Sequence, residues 1–265
     1  VTVTGPALLA TGAITINTSA NVTDQTGAIS FTSTIDNAQA LTLTAGGADV
    51  TVSGAIGNTA ALTSLTVSGN DISLANIGGA AAGVTGATGV TAATSGADTG
   101  SITFAGTTYK TDGTQTYTAP AGYNLLVNGG AATTFTTTDE AVSFATADVQ
   151  LANGSDLTVT TAGGAITANK IDGTSAEDVT LSSTVGTAKT VSVGAIGTGT
   201  ANGINTVALT GATSVTLNGN ITTDNSTGNS VTVTGPALLA TGAITINTSV
   251  ATFNNTVNAT TKGTE

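Results

Sequence analysis

The residues best equipped for chemistry are two pairs of adjacent carboxylates, Asp139–Glu140 and Glu177–Asp178. Paired carboxylates can divide general acid and base duties on a polysaccharide, and parallel β-helices do scaffold lyases and hydrolases of that kind. Little else is on offer. The chain has no His, Cys or Arg, so the familiar nucleophilic triads and His- or Cys-based metal centres cannot be assembled. Neighbours on an extended strand point to opposite faces, so each adjacent pair alone makes a poor dyad. Asn153-Gly154-Ser155-Asp156 is a turn with oxygen ligands of the sort calcium takes. The glycine-rich calcium nonapeptide is absent, however, and the 15 acidic residues are scattered. Gly197-Thr198-Gly199 lacks the third glycine of a dinucleotide fingerprint and reads as a turn. The expectation is a chain that is not an enzyme, with no catalytic, cofactor-binding or metal-binding residue, calcium being the one candidate ion.

Charge narrows the partners. The net charge is −11, and the only cations are Lys110, Lys170, Lys189 and Lys262. Such a surface repels phosphate backbones and anionic membrane surfaces, so nucleic acid is excluded as a partner. No apolar run approaches the ~18–20 residues of a membrane helix, so no membrane insertion is expected.

Positioning any side chain in this sequence falls to strands. VTVT (1–4), AISFTS (28–33), DVTV (49–52), DISLA (71–75), DLTVT (156–160) and DVTLS (178–182) alternate apolar residues with Thr or Ser. Period-two alternation rich in β-branched residues marks half-buried strands. Between them lie Asn-Gly at Asn128, Asn153, Asn202 and Asn218, and Gly-Gly at Gly46, Gly78, Gly129 and Gly163, all turn formers. Residues 78–98 are Ala-rich but interrupted by Gly, and read as a long loop or lateral bulge. Residues 105–125 hold all three tyrosines and look least repetitive, so a feature particular to this stretch is expected there.

Many short strands fit either tandem β-sandwiches or a β-solenoid in which each coil stacks on the last. Thr supplies 61 residues and Gly 35, while aromatic residues are 3%. A core of Ala, Val, Ile and Leu is thin, and suits repeated layers that seal one another better than one thick sandwich core. The fold expected is therefore all-β, a parallel β-helix (β-solenoid) running continuously across repeat units, with tandem β-sandwich domains as the alternative. At ~20–23 residues per coil and ~4.8 Å per strand, 230 residues would form about 10–11 coils, roughly 50 Å long.

The sequence also repeats on a long scale. Residues 1–19, VTVTGPALLATGAITINTS, return unchanged as 231–249, an offset of 230. The copies diverge at once, with Ala20, Asn21 and Val22 against Val250, Ala251 and Thr252. Residues 1–230 are read as one unit and 231–265 as the start of the next. The chain opens on Val1 inside the repeated block, as a window from a longer polypeptide would. A fainter signal is Gly-Ala-Ile, which begins at Gly12, Gly27, Gly54, Gly164, Gly194 and Gly242.

Segments 27–69 (GAISFTSTIDNAQALTLTAGGADVTVSGAIGNTAALTSLTVSG) and 213–223 (TSVTLNGNITT) resemble the body of giant bacterial β-strand-repeat exoproteins of the filamentous-haemagglutinin type. The resemblance lies in texture and carries no catalytic motif. It implies a right-handed parallel β-helix, a bacterial extracellular or cell-surface location, and a role in adhesion or in a biofilm matrix. The leading expectation is a structural extracellular fibre that supplies reach, stiffness and lateral association. Its partners would be copies of itself, cell-surface glycans or other cells. An adhesin stalk whose binding tip lies elsewhere, and a carbohydrate-active β-helix enzyme, stand as alternatives.

Overall fold

The computed structural model describes residues 1–19, 27–186, 189–198, 203–224, 228–240 and 242–259. Asn202, Gly199, Lys262 and the divergence point at residues 20–22 lie outside the described residues.

Alternation becomes geometry directly. Val149–Leu151 and Ile29–Phe31 bury their outer two residues and leave the middle one half-buried, and Glu177–Ser183 keeps the same alternation over seven residues. Every strand pairs in parallel with strands one coil away, and there is no helix among the described residues. The one antiparallel bridge described, Ser95↔Asp98, closes a small corner hairpin. A sandwich would need antiparallel sheets facing each other; this chain is a β-solenoid with three faces.

Face 1 begins with Thr2–Val3 and Ile29–Phe31 and runs as an eight-stranded sheet to Ile171–Asp172. It continues through the single bridges Ile171↔Ile196↔Ile221 to Ile246–Asn247. Face 2 starts with Ala7–Leu8 on Ile35–Asp36 and thins to single bridges at Ile56 and Ile77. From Thr108–Thr111 onward it is a seven-stranded sheet ending at Val250–Phe253. Face 3 carries 11 strands, from Ile14–Asn17 to Val257–Ala259, so the stack makes about 10 turns.

Coils average about 24 residues, the steps between paired strands ranging from 20 between Val233 and Phe253 to 30 between Ser73 and Thr103. They are longer than the sequence suggested because corners absorb extra residues without disturbing the ladder. The longest coil includes residues 78–98, which are not one loop. The strand Thr88–Ala92 crosses that stretch with Thr88, Val90 and Ala92 buried. Only the flanking corners bulge. Gly89 occupies an outward position where a side chain would meet nothing, so glycine there breaks no packing.

Inward residues form ladders of like type. On face 1, Val50, Ile72, Ile102, Leu125, Val149 and Ile171 stack in register. Residues 101–144 break the aliphatic rule. Phe104, Tyr109, Tyr117, Phe135 and Phe144 are fully buried and pack together. Tyr109 stacks on Phe135 at 4.7 Å, and Phe104 meets both edge-on. This plug sits where face 2 widens from single bridges to full strands, and aromatic area fills the extra width. Its polar atoms are satisfied. Tyr109 OH donates to the Leu74 carbonyl (2.9 Å), and Tyr117 OH donates to Gln115 Oε1 (3.0 Å). Buried Gln115 in turn donates to the carbonyls of Tyr109 and Thr136, each at 3.0 Å. Burial pushes both phenols well above the ordinary tyrosine range.

Gly-Ala-Ile marks a corner followed by an inward Ile. A Cβ on Gly54, Gly164 or Gly194 would overlap backbone of the coil below, so only glycine fits. The tripeptide serves all three faces: Ile29 lies on face 1, Ile56 on face 2, and Ile14 and Ile166 on face 3.

Candidate functional site

The carboxylates singled out by type do not converge. Glu177 and Asp178 diverge as strand alternation requires. Glu177 is fully buried, and its carboxylate accepts from Ser175 N and Oγ (both 2.8 Å) and Thr174 N (3.0 Å), holding the preceding turn. Asp178 faces outward and accepts from Thr206 N (3.0 Å) and Thr206 Oγ1 (2.7 Å), one coil up. Asp139 and Glu140 are exposed at the corner after Thr133–Thr137, where the Thr137 hydroxyl donates to the Glu140 carbonyl.

Asn153-Gly154-Ser155-Asp156 is a left-handed corner, with Asn153 at φ 58° and Gly154 at φ 68°. Ser155 is buried, and its Oγ accepts from Gly130 N (2.9 Å). Asp156 accepts from Asp178 N (2.9 Å). Among the described residues, no three carboxylates gather as a metal centre would need.

A shared task for the acids emerges that their types did not reveal. Asp71 accepts from Ser101 N (2.9 Å), and Asp36 from Thr59 N (2.8 Å). Asn76 does the same for Thr107 N (2.8 Å), and Asn220 for Thr245 N (2.9 Å). Each acceptor sits at a strand end or a corner, where the ladder lapses and the coil above presents N–H groups without a ladder partner. Leaving those donors unmet would cost about 1–3 kcal/mol apiece. The recurrent Asp just before an inward Val, Ile or Leu, at Asp49, Asp71, Asp156 and Asp178, is the sequence trace of this bracing.

A cluster of a phenol, an ammonium and a carboxylate forms at Tyr123, Lys170 and Asp172, on face 1. Lys170 Nζ lies 2.7 Å from Asp172 Oδ2 and 4.8 Å from the Tyr123 ring centroid. Tyr123 OH accepts from Lys170 and donates to Asp172. Partial burial, and then the bond to Asp172, raise the Tyr123 phenol. Burial pulls Lys170 down, but its hydrogen bonds to Asp172 and Tyr123 outweigh that and leave it raised. The phenol and the ammonium are each held in the protonated form. That arrangement pins the Tyr123 corner to the strand Ile171–Asp172 two coils above. Four lysines and three tyrosines in 265 residues make such a meeting conspicuous in retrospect. Nothing in their spacing announces it.

A regular polar surface covers the outside of face 2. Thr134 and Thr136, Thr158 and Thr160, Thr180 and Ser182, and Thr232 and Thr234 stand in two files, in register from coil to coil. Ala208 and Thr210 continue the files between them. Such a flat hydroxyl array can hydrogen-bond a polar chain or another copy of itself. No family model, curated protein or solved structure matches the chain.

Proposed function

We propose that this chain is a length of a structural, non-catalytic rod, exported to the bacterial exterior, whose task is reach and stiffness. One observation carries the reading: the second copy of the repeated block joins the stack with no linker. Ser230–Thr234 pairs with Ile204–Gly211 below and with Val250–Phe253 above, without a register break. A stack that accepts another unit in this manner grows in length while its core stays one coil thick, and its stability grows by nearest-neighbour increments. The aspartates at strand ends and corners support it, because Asp36, Asp71, Asp156 and Asp178 brace coil on coil.

The paired Thr files of face 2 favour a lateral role as well, toward a neighbouring rod or a surface glycan. Electron microscopy of the native assembly is expected to reveal thin unbroken filaments, and separate globules would reject the reading. Labelling intact cells with an antibody to the folded chain tests the location; signal only after lysis would reject export.

A further inference from the structure

The two copies of the block do not occupy the same faces. In the first, Thr2–Val3, Ala7–Leu8 and Ile14–Asn17 lie on faces 1, 2 and 3. In the second, Ser230–Thr234, Ala237–Leu239 and Ile246–Asn247 lie on faces 2, 3 and 1. The 230-residue offset therefore spans nine whole coils and one further face. The inward set is unchanged, because Val233, Ala237 and Ile246 point into the core as Val3, Ala7 and Ile16 do.

The coil that follows each block matches too. Phe31 stacks over Val3 and Phe253 over Val233; Ile35 stacks over Ala7 and Val257 over Ala237. The steps are 28 residues from Val3 to Phe31 and 20 from Val233 to Phe253, so the second connection is eight residues shorter and still closes one coil.

What lies beneath the two blocks differs. Val3, Ala7, Leu9, Ile14 and Ile16 line an apolar hollow of about 340 Å3 at the end of the stack. Their counterparts are seated: Val233 on Leu209, Ala237 on Val215, Leu239 on Leu217 and Ile246 on Ile221. Resting on the reading of the chain as part of a rod, we propose that the hollow is the seat for residues 203–222 of a second copy of the unit. Successive copies are then turned by one face each. A given surface returns to the same side of the rod only at every third step, and the Thr files of face 2 are displayed in turn on all three sides. Each outward file of the unit, the Thr files of face 2 among them, is thereby turned toward neighbours on every side of the rod. The Gly-Ala-Ile corners, which serve any face, make the rotation feasible without strain.

The test uses four consecutive copies of residues 1–230 followed by 231–265. Ala97→Cys in each copy gives one thiol per unit, since the chain has no cysteine and Ala97 is exposed in the corner hairpin. Gold-labelled rods viewed by electron microscopy are expected to carry marks ~45 Å apart along the axis. Each mark should move to the next side, with the fourth back in line with the first. Marks in a single file on a continuous rod would overturn the rotation and leave the rod reading standing. Separate globules would overturn both. A second arm places Val3→Asp in one copy only. In the third copy it is expected to interrupt the rod at that junction, and in the first copy to leave the rod whole. An uninterrupted rod with the third copy altered would overturn the docking.

Discussion

Residues 1–19 and 231–249 are one sequence in two settings. The inward and outward choice is the same in both, yet burial is not. Val231 and Val233 are fully buried between coils, whereas Val1 is 56% exposed and Val3 only half-buried. Gly235 adopts φ 113°, and a Cβ there would overlap the Gly211 carbonyl. Gly5, its counterpart, would meet nothing. Leu9 reverses the trend, being buried where Leu239 is half-buried, with Leu239 covered from above only by the small Ala259. A residue's worth in a solenoid is thus set by the coils on either side of it.

That contrast can be broken by paired substitutions at equivalent positions. Because coils can open separately, native-state hydrogen exchange over 230–239 and over 1–9 is the fitting measurement. The largest effect is expected from Val233→Asp, which leaves a charge without a partner in the core and should cost about 4–5 kcal/mol. Val3→Asp keeps access to water and should cost under about 1 kcal/mol. Equal losses would mean that the first block is covered in solution.

Gly235→Ala comes next, with a cost of about 3 kcal/mol from the left-handed backbone and the overlap. Gly5→Ala should be neutral or slightly stabilising, by up to about 0.5 kcal/mol. A tolerated Gly235→Ala would contradict the close approach of the two coils. Third, Val231→Ala should cost about 2 kcal/mol through a cavity, against almost nothing for Val1→Ala. The smallest effect belongs to the outward leucines. Leu8 is 73% exposed. Leu8→Thr and Leu238→Thr should each stay within about 0.5 kcal/mol, and a larger change at Leu238 would mark it as part of a contact.

Much of the fold was legible in the sequence. The alternation in DVTV and DLTVT gives strands and their inward residues, and a core with few large side chains points to layers. The coil length was not legible, because corners such as residues 93–100 lengthen a coil without touching its period-two strands. The aromatic plug was half legible: residues 105–125 stood out for their tyrosines, but three of the five buried rings, Phe104, Phe135 and Phe144, lie outside that stretch. The candidate chemistry was the least legible. Glu177 and Asp178 look like a pair, yet one holds a turn inside and the other braces the coil above. Tyr123 meets Lys170 and Asp172 only because coils of 24 and 22 residues bring these segments into one column.

By itself the sequence determined which side chains turn inward, where many of the corners fall and that the block of residues 1–19 recurs. Period two forces the first, since a slip of one residue would invert every side chain. Glycine at close approaches forces the second. Tertiary structure alone decided which face each strand joins. Backbone ladder bonds are blind to side-chain type, so a VTVT segment stacks equally well on any face. The choice is made by the summed lengths of the corners around each coil. In this chain that sum carries an identical block from face 1 to face 2.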